Sequence, residues 1–162
     1  SRGEREKNLR KTELAIAAGD AILSGMSYPR SPQDQVGGIV YFGRMIDKIR
    51  LMAKDDLHPD LHKNLGAGFD ARCWKFLQVD FAALSEALKS GLSDDAALEW
   101  CFSHGRKPSD EEIEVWNEFL RKCGWRDSLS EILESRKKEG GFENRDDIQT
   151  MFEYIDADEG RL

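Results

Sequence analysis

The amino-acid sequence predicts an all-α fold, a compact single-domain bundle of about eight helices that is irregular rather than repeat-based. Apolar residues recur at three- and four-residue steps along most of the chain. Serine or aspartate stands where helices would begin, and glycine stands where they would end. No long run of alternating hydrophobicity appears, and no Asn-Gly or Asp-Gly pair links two strand-like segments. Strands are therefore not expected.

Residues 1–27 are predicted to form an N-terminal helical extension, and residues 28–162 the main helical domain. Residues 4–23 begin with charges, continue with apolar residues at helical spacing, and stop before Gly25. The next stretch contains the prolines of YPRSP at residues 28–32, and each proline disfavours helix at the residue before it. An extended loop across the surface is expected there.

The most informative predicted helix opens at Gly37-Gly38 and carries two different faces. The apolar face is predicted to be core and consists of Ile39, Phe42, Met45, Ile46, Ile49 and Met52. The opposite face combines charged and apolar residues, namely Val40, Arg44, Asp47, Lys48 and Leu51.

Helix-start signals place the remaining elements. Pro59 is expected to open a short helical turn, and GFDARCWKFL is expected to be a helix with Phe69, Cys73, Phe76 and Leu77 on one side. The predicted caps of the later helices are Asp80, Ser93, Ser109 with Glu112, and Ser128 with Glu131. The last helix is expected over residues 146–156.

Composition limits the classes of partner. The 162 residues are the usual size of one domain, and 40% hydrophobic residues are too many for a disordered chain. With 24 basic and 31 acidic residues the formal net charge is −7, so the overall field repels polyanions. Nucleic acid is therefore not an expected partner.

No targeting or membrane signal is evident. No apolar run approaches the roughly 20 residues that span a bilayer, and the first eleven residues are too polar for a signal peptide. Cys73, Cys101 and Cys123 are odd in number and form no CxxC pair, which favours buried thiols over zinc or redox work. A cytoplasmic protein with no membrane partner is expected.

Four stretches resemble a bacterial family classified as a domain of unknown function: GGIVYFGRMIDKIR, GFDARCWKFL, EWCFSHGRKPSDEEIEVWNEF and NRDDIQTMFEYIDADEGR. The likeness runs from about Tyr28 to the C-terminus and is most specific at Ile46-Asp47-Lys48, at Arg44, and at the PRSP segment. The resemblance implies a family fold. It lends no activity, substrate or catalytic residue.

Arg44, Asp47 and Lys48 are the first candidate site, because residues three and four apart share a helical face. A carboxylate between two cations stays ionised, while a lysine crowded by arginine can act as a base or nucleophile. We predict Lys48 and Asp47 as the catalytic residues if there is catalysis. The alternative is a solvated charged face with one intrahelical pair.

The second candidate group is Asp70, Arg72, Cys73 and Trp74, on a helix that could pack near the first. An acidic side chain ahead of an aromatic ring can orient a polar or cationic ligand, whereas Cys73 lies on the apolar stripe and favours an inert thiol. Tyr41 belongs to the aromatic residues that could line a pocket between helices, although such rings are more often core.

Two further motifs are weak. His58 and His62 have the spacing that places two metal ligands on one helical face, but a third ligand is not evident. Asp156, Asp158 and Gly160 resemble the start of a calcium loop, although a frayed acidic tail is favoured. No Gly-rich phosphate loop is present, so no cofactor is predicted.

The leading hypothesis is a pocket lined by Arg44, Asp47, Lys48 and Asp70 that binds a small polar or anionic metabolite. Arg44 would hold a carboxylate or phosphate, and Asp47 would orient the two cations. The first alternative is a protein-interaction or structural module, with a protein partner or a second copy of the chain. The second alternative is a metal hydrolase that depends on His58 and His62. The sequence leaves open whether the protein is an enzyme.

Overall fold

The structure, a computed structural model, describes residues 3–13 and 26–162. Residues 3–13 form an exposed helix, α1, and the rest of the helix predicted over residues 4–23 lies outside the described residues. The helices that follow are α2 (Phe42–Ala53), a 3-10 helix (Pro59–Asn64), α3 (Phe69–Phe76), α4 (Phe81–Leu88), α5 (Asp94–His104), α6 (Asp110–Lys122), α7 (Ser130–Glu139) and α8 (Met151–Asp158). The all-α prediction is confirmed. No helix in the described part of the chain is long and apolar enough to cross a bilayer.

One short hairpin departs from the helical prediction. Strand β1 (Gln35–Val36) pairs antiparallel with β2 (Ile39–Val40) across the Gly37-Gly38 turn. Both glycines have positive φ, 56° and 78°, as a two-residue hairpin turn requires. The prediction that these glycines open a helix was therefore wrong, because Gly-Gly between apolar residues is itself a hairpin signal.

Helix α2 forms the centre of the domain and starts only at Phe42, after the hairpin. Its apolar stripe of Phe42, Met45, Ile46 and Ile49 is buried, as predicted. Met52, predicted as core, is 37% exposed because the last turn of the helix extends beyond the packed region. The same core includes residues from every later α-helix except α7, among them Cys73, Leu84, Leu98, Leu120 and Phe152, and none from the 3-10 helix.

Most predicted helix caps are confirmed. The side chains of Asp80 and Ser93 accept the expected backbone N–H bonds, and Ser109 and Glu112 form a reciprocal capping box. The cap predicted at Ser128 was wrong: the carboxylate of Asp127 accepts the N–H of Leu129 at 2.8 Å, and α7 begins at Ser130.

The last helix begins later than predicted. Helix α8 starts at Met151, where Thr150 and Glu153 form a second capping box, and not at residue 146. Asp147 instead accepts two hydrogen bonds from Arg145 in the preceding turn. Ile148, which precedes the helix, packs into a smaller core between α7 and α8.

The extended segment at residues 28–32 lies across α2 and α8, as a loop, and its two prolines are buried. The carbonyl of Arg30 accepts a hydrogen bond from Arg44 on α2, and Ser31 donates to Asp156 on α8. Arg161, just after α8, donates to the carbonyl of Pro29. These contacts place the C-terminal end of α8 beside the first turn of α2.

Candidate functional site

A cavity of about 520 Å³ opens between α2, the 3-10 helix, the start of α3, and the pair α7 and α8. Of the residues predicted for a site, Tyr41, Arg44, Lys48 and Arg72 line this cavity. Asp70 lies directly behind them, in contact with both Tyr41 and Lys48. Asp47 and Trp74 do not line it. We call this space the central cavity.

At the floor of the central cavity, a buried lysine pairs with a buried carboxylate that lies behind it. Lys48 is 2% exposed, and its Nζ lies 2.8 Å from Oδ2 of the fully buried Asp70. Asp70 also accepts the N–H of Gly66 at 2.9 Å and the hydroxyl of Tyr41 at 2.7 Å. Lys48 donates in addition to the carbonyl of Asn64 at 3.2 Å. A buried ion pair with this many hydrogen bonds is the arrangement that offsets the cost of removing its charges from water.

Burial changes the acid-base properties of the floor. Removal from water lowers the pKa of Lys48, and the negative charge of Asp70 opposes this effect without cancelling it. Burial, reinforced by Asp70, holds the pKa of Tyr41 well above its ordinary value. The phenol is therefore protonated at neutral pH and donates to the carboxylate.

Tyr41 adopts an unusual backbone conformation at this point. Its φ of 72° lies in the left-handed region, which costs a residue with a side chain about 1–3 kcal/mol. The bond from its hydroxyl to Asp70 and the bond from its N–H to the carbonyl of Pro32 hold it there. The turn between β2 and α2 thus places the phenol on the cavity floor.

A second buried ion pair lies beside the first. Arg44 donates through both Nη atoms to Glu159, at 2.8 and 2.5 Å, and both side chains are 3% exposed. Burial alone would lower the pKa of Arg44, but the Glu159 carboxylate raises it overall. The prediction of a frayed acidic tail was therefore wrong, because Arg44 holds Glu159 inside the domain.

Asp47 faces away from the central cavity. Successive helical residues turn by about 100°, so Asp47 lies about 60° to one side of Arg44 while Lys48 lies about 40° to the other. Asp47 accepts two hydrogen bonds from the side chain of Arg30, both at 2.8 Å. The same guanidinium also pairs with Asp94, through Nη1 at 2.7 Å. The expectation that Asp47 orients Arg44 and Lys48 was wrong.

Three cations lie on the wall of the cavity, and only one of them, Arg72, was predicted from the sequence. Lys63, Arg72 and Arg136 line the central cavity, and none has an ion-pair partner within 4.0 Å among the described residues. Arg72 lies over the ring of Phe119 at 5.6 Å. The three residues come from the 3-10 helix, α3 and α7, so only Arg72 could be found from a local motif. Their convergence is a product of helix packing.

Carboxylates also reach the cavity, at Asp60, Glu139 and Asp158. Burial, and then the nearby charges of Glu159 and Asp60, raise the pKa of Asp158. The lining contains five cationic side chains and four carboxylates in total, so the site is close to neutral rather than strongly basic. Asp70, which lies behind the floor, adds a fifth carboxylate, so cationic and anionic side chains around the cavity are equal in number.

Two further predicted residues, Trp74 and Cys73, lie beside the site and do not line the cavity. Trp74 donates from its indole N–H to the carbonyl of Gly66 at 3.0 Å and so supports the loop whose N–H binds Asp70. Cys73 is fully buried on the core side of α3, and burial raises its pKa well above the ordinary value. A thiolate nucleophile is not favoured there.

The histidine pair does not share a helical face. His58 is the N-cap of the 3-10 helix, and His62 lies inside it. With three residues per turn, positions four apart are about 120° out of register. The Nε2 of His62 lies 2.9 Å from the carbonyl of Leu57. Residues 3–13 and 26–162 contain no group of three or more candidate metal ligands.

These features define a helical domain whose central cavity is bordered by two buried ion pairs. The family described as domain of unknown function DUF5069 has a model that matches residues 26–161, and this chain belongs to that family. The family type expected from the sequence resemblance is confirmed. No curated protein matches the chain. The predicted division between residues 27 and 28 stays a prediction.

Proposed function

We propose that this domain binds a small organic anion, with a carboxylate or a single phosphate group, in the central cavity. The observation that supports this proposal most directly is the set of three wall cations, Lys63, Arg72 and Arg136, that have no ion-pair partner in the described chain. A volume of about 520 Å³ is in the range of small-molecule sites.

The arrangement of charges assigns different tasks to the cations. Both Nη atoms of Arg44 already bind Glu159, so Arg44 is not free to hold a ligand carboxylate through both. The wall cations therefore bind the anionic group, and Lys48 contacts the ligand from the floor. Since four carboxylates share the cavity, a polyphosphate would be repelled, and a ligand of one or two charges fits better.

The test is a thermal-shift and calorimetry screen with small carboxylic and phosphorylated compounds, followed by charge-removal variants. We expect Arg72→Gln and Arg136→Gln each to weaken binding about tenfold, since a hydrogen bond to a charged group contributes about 1.5–3 kcal/mol. Lys138→Gln is the matched control: it removes one charge from the same helix as Arg136, at an exposed position outside the cavity. If no compound raises the melting temperature, or if Lys138→Gln weakens binding equally, the proposal is wrong.

If catalysis follows binding, Lys48 is the residue that would carry it, because its amine faces the bound ligand. Asp47 is not part of this proposal, since it pairs with Arg30 outside the cavity. Loss of turnover in Lys48→Ala with retained ligand binding is the expected result for such an enzyme.

A second candidate function is self-association through the outer face of α6. Val115 and Phe119 are 64% and 50% exposed there, beside a shallow apolar pocket that also includes Phe76 and Trp116. Exposed apolar residues that form one patch are typical of interaction surfaces. Sedimentation over a range of concentrations tests this: Val115→Ser should weaken self-association, while Ile132→Ser, at an exposed site on α7, should not. A protein that is monomeric at all concentrations would exclude this function.

A further inference from the structure

The amine of Lys48 differs from that of the other buried lysine in the described residues, Lys137. Lys137 donates to the carbonyl of Ile148 and does not line the central cavity. Lys48 lines the cavity, and two of its three ammonium hydrogens are accounted for, by Asp70 and by Asn64. The third has no acceptor among the described residues and is available to a molecule in the cavity.

The two oxygens of one carboxylate hold the amine and a phenol. Oδ2 of Asp70 lies 2.8 Å from Nζ of Lys48, and Oδ1 accepts the hydroxyl of Tyr41 at 2.7 Å. Both Lys48 and Tyr41 line the central cavity, whereas Asp70 lies behind them. A nucleophile, a proton donor and a carboxylate able to pass a proton between them are therefore in contact.

Building on the proposed function, we propose that Lys48 forms an imine with the carbonyl carbon of a small oxo acid or phosphorylated aldehyde, whose anionic group binds the wall cations. The charge balance of the floor selects this chemistry. An iminium carries the same positive charge as the ammonium, so Asp70 keeps its partner after the reaction. Acylation or phosphorylation of the amine would remove that charge and leave a buried carboxylate unpaired, which is strongly destabilising.

The reaction balances without an oxidant, a reductant or a further reactant. The ammonium releases a proton through Asp70, and the nitrogen lone pair bonds to the carbonyl carbon while the oxygen takes up that proton. The nitrogen then loses a second proton and its electron pair forms the C=N bond. The C–O bond breaks, and the oxygen leaves as water with both protons. The hydroxyl of Tyr41 is placed to relay protons to the departing oxygen. Burial lowers the pKa of Lys48, which increases the fraction of free amine at neutral pH.

The test uses the full chain with glyoxylate, pyruvate or glyceraldehyde 3-phosphate, each with and without sodium borohydride. Reduction converts the imine to a stable secondary amine that intact mass and peptide mapping detect. We expect one adduct per chain, on Lys48, that is absent in Lys48→Arg and unchanged in Lys137→Arg. Tyr41→Phe should slow trapping at least tenfold at saturating carbonyl compound, because one proton relay is missing. Circular dichroism establishes that each variant is folded.

Lactate distinguishes this inference from the proposed function, because it resembles pyruvate but has no carbonyl carbon to trap. If pyruvate forms an adduct with Lys48, lactate should compete for the cavity and reduce the formation of this adduct in the wild-type protein. This measurement requires no variant. Calorimetric binding of these compounds without an adduct on Lys48, or an adduct spread over exposed lysines, would overturn the imine and leave anion binding intact. If none of the carbonyl compounds binds or reacts, the imine is overturned, and the wider anion screen decides the proposed function.

Discussion

Arg44 and Glu159 are 115 residues apart in sequence and form a two-bond ion pair with both side chains 3% exposed. This pair joins the first turn of α2 to the residue that follows α8. Arg44 also donates to the carbonyl of Arg30, so a single guanidinium connects three distant segments. The wall of the central cavity depends on this connection, because α8 carries part of the lining.

Glu159→Ala should lower the free energy of unfolding by about 3–5 kcal/mol, because it leaves the Arg44 charge buried without a partner. Urea denaturation measures this change. Glu143→Ala, at an exposed loop position, is the control and should change stability by less than about 0.5 kcal/mol. Equal stability of the two variants would show that Glu159 is not held inside the domain in solution.

The pair formed by Lys48 and Asp70 should respond to alkaline pH with a defined sign. The pKa of Lys48 is lowered in the folded state, so between neutral pH and the ordinary lysine value of 10.5 the unfolded chain binds more protons. The stability of the wild type relative to Lys48→Met should therefore rise with pH over this interval. Denaturation at several pH values measures the difference, in which titrating groups remote from this pair cancel. A difference that falls as pH rises would mean that Asp70 dominates the pKa of Lys48.

Asp94 should contribute to stability above its ordinary pKa and lose this contribution in acid. Its hydrogen bond with Arg30, aided by Arg50 and opposed by burial, lowers the pKa to about 2 from 3.8. At neutral pH Asp94→Asn should cost about 1 kcal/mol, after allowance for solvent screening of this partly exposed group, and almost nothing near pH 2. Asp95→Asn, the next residue in the same helical turn, is the control and should show a smaller effect at both pH values. Melting temperatures at neutral and acid pH test this.

The three cysteine thiols should react slowly with Ellman's reagent in the native protein. Cys73, Cys101 and Cys123 are buried, and burial raises the pKa of Cys101 to about 12 and that of Cys73 well above its ordinary value. Labelling should therefore follow unfolding, and all three thiols should react at once in urea. Reaction of one thiol within the mixing time in native buffer would contradict this prediction.

Local features of the fold were predictable because a few neighbouring residues determine them. A serine or aspartate cap needs only a backbone N–H two or three residues later, which is why Asp80, Ser93 and Ser109 were identified correctly. The hairpin at Gly37-Gly38 and the cap at Thr150 are equally local, since Gly-Gly between apolar residues favours a two-residue turn and Thr150 with Glu153 has the spacing of a capping box.

The candidate site was predictable only in part. Helical spacing correctly placed Arg44 and Lys48 on a common side of α2, and aromatic composition suggested Tyr41. The same spacing allowed Asp47 to join them, and only the position of Arg30 shows that Asp47 faces another network. Lys63 and Arg136 carry no motif that would link them to Lys48.

The sequence by itself determined the all-α class, the apolar stripe of α2, most of the caps and the family. These properties depend on periodicity and on contacts within one helical turn. The tertiary structure alone decided that Asp70 faces Lys48, that Glu159 faces Arg44, and that cations from three separate elements share one cavity. The physical reason is that an ion pair is buried only when the packing of several helices excludes water from both partners, and that packing is a property of the whole chain.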